Sequence, residues 1–291
     1  MKNNVNEIIT FNLLDINFAI IILSYNIYTM TQSITIVGAG WLAQHFLKSH
    51  HSLFDSIITT SQSSSPLPKS TQHIYLDIYK PAVINLPKTE TILITIPFSR
   101  QLSDPMSYYN QIKKLIKSLP EYKKIIFTSS TSIYPETHTT VTETSPLAST
   151  SRAQALNKTE QFLLKMAPTV YILRLSGICG FNRTSEKKIL NGQINNANQP
   201  VNLIHAVDIC NVFKTLIKRD VIETDIINVT CSKHPTKIDY YSYLCKKFNY
   251  PLPIFEETNK PNKKVSNKKL LSKYDVKLNY PSPLLFEFNH D

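Results

Sequence analysis

At 291 residues, 42% of them hydrophobic, the chain is long enough to bury a full core as one large or two modest domains. Its net charge of +11 comes mostly from lysines spread along the sequence, with no dense Lys/Arg helix stripe and no nucleic-acid module signature, which argues against a nucleic-acid partner. The four cysteines (Cys179, Cys210, Cys231, Cys245) lack CxxC spacing and nearby histidine pairs, so reduced thiols in a cytoplasmic protein are expected rather than a zinc site.

In chain order, the first feature is an apolar run, Phe18–Leu23, interrupted by Asn12, Asp15, Asn17 and Asn26. It is too short and too polar to span a bilayer comfortably, and it lacks the basic start and cleavage site of a signal peptide. Residues 1–30 read as an N-terminal extension, with Met30 an alternative start just ahead of the first core strand.

Ser33–His50 (SITIVGAGWLAQHFLKSH) is the most informative stretch. A β-branched run (Ile34, Ile36, Val37) stops at Gly38-Ala39-Gly40, and a helical pattern follows through Leu42, Phe46 and Leu47. A strand, a Gly-x-Gly turn and a helix in this order suit a dinucleotide diphosphate. Gly38 permits the turn, Gly40 lets the backbone approach phosphate, and the helix start offers free N–H groups. Ala43 stands in place of a third glycine and is small enough to keep helix and strand close. Since the chain has only 5 glycines, two within three residues is no background event.

Further strands are expected at Ser56–Thr60, His73–Leu76, Thr91–Ile96, Lys124–Thr128 and from Val170 to Leu173, with helices at Met106–Leu119 and Arg152–Met166. Strands alternating with helices predict an α/β fold, a Rossmann-type doubly wound parallel sheet with ligands beyond the carboxyl ends of the strands. Beyond Gly177 the pattern loosens. Helices are expected at Thr184–Leu190, Val207–Lys218 and Ile238–Phe248 and a strand at Ile226–Val229, before a proline-punctuated tail around the basic segment Lys263–Lys273. Residues 31–178, with 203–230 added, then form the nucleotide domain, and 179–202 with 231–291 a small discontinuous substrate lobe.

Several segments in order resemble the extended short-chain dehydrogenase/reductase superfamily, the epimerase/dehydratase relatives, and most of all its atypical YeeZ-like subgroup. They are Val37-Gly38-Ala39-Gly40-Trp41-Leu42, Leu76-Asp77, the run Phe127–Tyr134, Leu173-Arg174-Leu175-Ser176-Gly177-Ile178, the run Asn202–Asp208, and Lys264–Leu270 followed by Tyr280-Pro281-Ser282. The resemblance implies an NAD(P) cofactor held by Gly38, Gly40, Trp41 and Leu42. It also implies that Asp77 bonds the adenine, with a turn cap as the alternative, and that Ile96 and Pro97 line the ribose and nicotinamide. The second strand ends in Thr60 and Ser61 with no acid to take the ribose hydroxyls, which favours NADP over NAD.

Family chemistry uses a Ser or Thr, a Tyr and a Lys. Ser130 fits the first role, or else satisfies the strand end. Counting back from Glu160, the Tyr position falls on Arg152 and the Lys position on Leu156, while Lys158 lies roughly 200° around the helix from Leu156. Neither Arg152 nor Leu156 can carry the proton or tune a phenol. Arg152 is left to clamp an anion or to face solvent. Tyr134, Arg183, Asn202 and His205 are the other residues that the resemblance places at the substrate side, with a structural role open for His205. The sequence therefore points to an NAD(P)-binding oxidoreductase or epimerase-like enzyme acting on a small or nucleotide-linked substrate, without metal or stable membrane insertion, in the manner of relatives that form homodimers. The alternative is a non-catalytic NAD(P)-binding scaffold or redox-sensing regulator.

Overall fold

Aliphatic and β-branched runs make the strands, and a computed structural model describes residues 32–62, 67–80, 85–99, 101–258 and 260–288. The N-terminal run Phe18–Leu23 lies outside the described residues. Strands β1 (Ser33–Val37), β2 (Ser56–Ser61), β3 (Thr71–Tyr75), β4 (Thr91–Ile94), β5 (Lys124–Ser130), β6 (Thr169–Leu175) and β7 (Thr224–Val229) pair in the order β3-β2-β1-β4-β5-β6-β7. Every pairing is parallel. β4 and β6 are buried throughout, which is why they read as unbroken apolar runs rather than alternating ones. Both β2 and β4 pair with β1, so the strand order reverses there and opens a crevice beyond its carboxyl end.

Helices α1 (Trp41–His50), α2 (Met106–Ser118), α3 (Ser151–Leu163), α4 (Glu186–Leu190), α5 (Ala206–Lys218), α6 (Lys237–Phe248) and α7 (Lys268–Tyr274) follow in chain order. Successive residues of one strand point to opposite faces. Ile92 and Ile94 accordingly pack with Tyr108, Ile112 and Leu115 of α2 and Leu156 of α3. Leu93 packs instead in the other core with Phe46 of α1 and Phe213 of α5, whose rings meet edge to face at 5.5 Å. Two half-cores on either side of one sheet make a doubly wound α/β fold.

Three short parallel pairs build the remainder: 177–179 with 203–205, 193–195 with 254–256, and 140–141 with 264–265. The basic tail is more ordered than its sequence suggests. Leu270 and Tyr274 of α7 are buried, and Asp225 of β7 accepts from Lys269 (2.8 Å), Lys273 (2.7 Å) and the Tyr274 hydroxyl (2.7 Å). A carboxylate on the edge strand gathers these lysines. No helix among the described residues is long and apolar enough to cross a membrane.

α5 carries a buried acid with no ion pair among the described residues. Asp208 accepts from the backbone N–H groups of Asn279 (2.6 Å) and Tyr280 (3.1 Å), and burial pushes its carboxyl from 3.8 up to about 6. Since the folded value is the higher one, the folded chain holds the proton more tightly between those two values. The Asp208 contribution is therefore full below about pH 4 and is lost as pH rises through about 6. Urea titrations of the wild type and Asp208→Asn are expected to show the wild-type advantage shrinking by about 2–3 kcal/mol across that window. A flat difference would show that Asp208 titrates normally.

Candidate functional site

Beyond the carboxyl ends of β1, β2, β4, β5 and β6 lies a cleft of about 730 Å³. Gly38, Gly40, Trp41, Leu42, Thr60, Ser61, Ile96, Pro97, Ser130, Arg152 and Arg183 all line it, so eleven of the fifteen residues expected from the sequence converge on one space.

The glycine turn is built from both sides. The Thr60 carbonyl accepts from the N–H groups of Gly38 (3.0 Å) and Ala39 (2.7 Å), and the Thr95 hydroxyl donates to the Gly38 carbonyl (2.7 Å). Gly38 has φ +96°, and a Cβ there would stand 2.9 Å from the Ile96 side chain and 3.0 Å from its backbone nitrogen. Gly40 is different. A Cβ on it would meet nothing nearer than the Gly38 carbonyl at 3.9 Å, so its lack of a side chain keeps space open on the cleft rather than relieving internal crowding. α1 begins at Gly40 with no side-chain cap and no acid in its first turn. Open backbone, uncapped helix N–H groups and buried Ala43 together fit a dinucleotide diphosphate.

A loop then folds over the start of α1. Gly180 and Arg183 exchange backbone hydrogen bonds (3.1 and 2.8 Å), Phe181 stacks on His45 at 3.7 Å, and the Trp41 indole donates to Asn182 at 2.8 Å. Trp41 is thereby drawn to the wall, and the Arg183 guanidinium lies 5.4 Å from the centre of its ring. Ile96 is fixed from below by the buried Tyr108 hydroxyl, which donates to its carbonyl at 2.9 Å.

At the other end, Ser130 caps a short turn, accepting from the Ser132 N–H at 3.2 Å and donating to the Ser132 hydroxyl at 2.9 Å. The Arg152 Nε donates to the same hydroxyl at 3.1 Å, and its guanidinium lies 4.4 Å from the centre of the Phe98 ring. Arg152 and Leu156 both face the cleft, as the count along the helix predicts, while Lys158 turns away over Tyr109. Arg152 and Arg183 are the only charged side chains among the described residues of the lining. The arrangement can bind anions at two points and orient a polar group at Ser130.

Four expected residues stand outside the lining. Leu76 and Ile78 face the cleft, but the carboxylate of Asp77 between them accepts from the Tyr79 N–H (2.9 Å) and sits 3.8 Å from Lys80. Tyr134 is buried, donating to Asn228 (2.7 Å) and accepting from Arg174 (2.9 Å), with burial raising its pKa against the pull of Arg174. The Asn202 amide pins the tail, donating to the Lys263 carbonyl and accepting from the Val265 N–H, each at 2.9 Å. His205 donates through Nε2 to the Glu287 carbonyl (3.0 Å) and accepts at Nδ1 from the Val207 N–H (3.2 Å), a neutral ring whose pKa burial lowers.

Sequence reasoning missed the network beneath the site. Glu160 of α3 forms a buried pair with Arg174 of β6 at 2.7 Å and accepts from the Ser129 hydroxyl. An arginine inside the apolar run Val170–Leu175 was the available signal, because a charge there needs a partner. Thr95, Tyr108, Ser132 and Ser176 were missed as well.

No family model matches the chain. Protein YeeZ of Escherichia coli K12 is 25% identical over 271 residues, 87% of this chain and 98% of YeeZ. Among solved structures, the UDP-glucuronic acid 4-epimerase of Bacillus cereus in complex with NAD superposes with a TM-score of 0.72 at 16% identity, over 87% of this chain and 95% of that one. A conserved protein of unknown function from Silicibacter pomeroyi gives a TM-score of 0.69 at 20% identity, over 88% and 96%. The chain is therefore similar to YeeZ over most of its length and shares the doubly wound fold of the Bacillus cereus epimerase.

Proposed function

We propose that the chain binds NAD(P) in this cleft and acts as an oxidoreductase or epimerase-like enzyme on a small or nucleotide-linked anionic substrate. The observation that carries this reading is the open Gly38-Ala39-Gly40 turn continuing into a space lined by Ser130, Arg152 and Arg183 and, among the described residues, by no acid. Gly38, Gly40, Trp41 and Leu42 hold the diphosphate, Thr60 and Ser61 the adenosine ribose, and Ile96 and Pro97 the far half of the cofactor, with Asp77 shaping the adenine end. NADP is favoured because β2 ends without a carboxylate. Bound there, a nicotinamide supplies hydride transfer. Ser130 orients the substrate, Arg152 and Arg183 neutralise its charge, and Tyr134, Asn202 and His205 hold the walls in place.

Two arginines in the cleft, Arg152 and Arg183, with no acid among its described lining, support an anionic substrate. The Bacillus cereus epimerase is also solved with UDP-glucuronic acid and NAD, which favours the nucleotide-linked choice. Four buried free thiols among the described residues suit the cytoplasm.

Arg152 and Leu156 at the Tyr and Lys positions favour one other reading, a cofactor-binding scaffold or redox sensor without turnover. Trp41, the sole tryptophan and a residue of the cleft wall, separates these readings. Titration with NADH and NADPH is expected to quench its emission at concentrations below about 1 mM. If neither cofactor changes it and calorimetry is silent, both readings fail. If cofactor binds but sugar nucleotides and aldehydes never alter the nicotinamide absorbance at any pH, the scaffold stands.

A further inference from the structure

The Ser176 hydroxyl, in the cleft, is left unsatisfied by the described residues. Ser176, the residue after β6, is 4% exposed and lines the cleft, and its Oγ has no hydrogen-bond partner among the described residues. A buried hydroxyl without a partner costs stability, so it needs an explanation beyond folding.

Its place in the fold supplies one. Leu175 pairs with Ser130, so Ser176 stands just past the end of β5. Ser176 lies on the same face of β6 as Arg174, two residues and about 6.6 Å further along. Arg174 meets Glu160, and one helical turn from Glu160 toward the start of α3, about 6 Å, brings Leu156 level with Ser176. The hydroxyl thus faces the level of α3 where Leu156 offers no polar atom. Across the sheet, β6 is three strands from β1, about 14 Å from the glycine turn. Ser130 and Arg152 are half-buried nearer the mouth, whereas Ser176 lies at the floor beside Leu175, Gly177 and Ile178.

We propose that Ser176 holds the carboxamide of the nicotinamide ring and so selects an intact nicotinamide dinucleotide over its ADP-ribose portion. This rests on the reading that the cleft binds NAD(P). A carboxamide presents both an acceptor and donors, and a serine hydroxyl can meet either. The apolar Leu175 and Ile178 suit the flat ring, and the floor is where a cofactor lies when substrate enters above it.

The test is calorimetric titration of wild type and Ser176→Ala with two pairs of ligands: NADH against ADP-ribose, and NADPH against ADP-ribose 2′-phosphate. The variant is expected to bind the dinucleotide about tenfold more weakly, with the ADP-ribose form unchanged to within about twofold. Its ligand-free melting temperature stays equal or rises, because the orphaned hydroxyl is gone. Equal loss for both ligands of a pair, no loss for either, or a lowered melting temperature overturns the assignment. If wild type binds the dinucleotide and the variant matches it, only the role of Ser176 falls. If wild type binds none of the four ligands, the cofactor reading falls with it.

Discussion

Glu160→Ala is expected to cost about 3–5 kcal/mol of stability, measured by urea denaturation. Glu160 and Arg174 are 0% and 2% exposed, and both guanidinium Nε and one terminal nitrogen reach the carboxylate at 2.7–3.2 Å. Removing the acid leaves a buried positive charge with only the Tyr134 hydroxyl and the Glu143 carbonyl for company, and it frees the Ser129 hydroxyl. The penalty comes from the stranded charge more than from the lost attraction. The double variant Glu160→Ala/Arg174→Leu is therefore expected to be more stable than the single one. A loss below about 1 kcal/mol for Glu160→Ala would mean that the pair behaves as an exposed one.

Gly38→Ala is expected to abolish NADPH binding and to cost about 2–5 kcal/mol, because a positive φ and a close backbone act together. Its Cβ would press on Ile96 Cγ1, N and Cα at 2.9, 3.0 and 3.2 Å, and two of those atoms are main chain. Ile96 is also held by Tyr108, so the end of β4 has little room to give. Gly40→Ala makes the control two residues away. Its φ of −79° suits any residue, and its Cβ stands free, so stability is expected to change by no more than about 1 kcal/mol. Affinity for NADPH nonetheless drops at least about tenfold, because the methyl stands where the backbone should approach phosphate. Equal behaviour of the two variants in denaturation and cofactor titration would refute this division of labour.

The sheet and the diphosphate end were legible because their signals are local. Ile34 to Leu47 encodes strand, turn and helix within one stretch, and the four-residue spacing of Arg152 and Leu156 fixes one helix face. Three of the four residues that strayed from expectation have partners far along the chain, while Asp77 serves its own turn. Asn202 is bound to Lys263 and Val265, His205 to Glu287, and Tyr134 to Arg174 and Asn228. A polar residue near a strand end reads the same whether it faces ligand or plugs a tertiary contact, and only the long-range pairing decides. Ser176 shows the converse. An unremarkable serine after Leu175 becomes informative only when its surroundings are seen to offer it nothing.

The absence of acidic side chains from the described cleft wall has a practical corollary. With two arginines and no acid among its described lining, the cavity draws polyvalent anions of any origin, and their attraction weakens as counter-ions accumulate in solution. Phosphate, sulfate or citrate in a buffer competes for the same ground as a nucleotide, so affinities taken in such media understate what a zwitterionic buffer of low ionic strength would reveal.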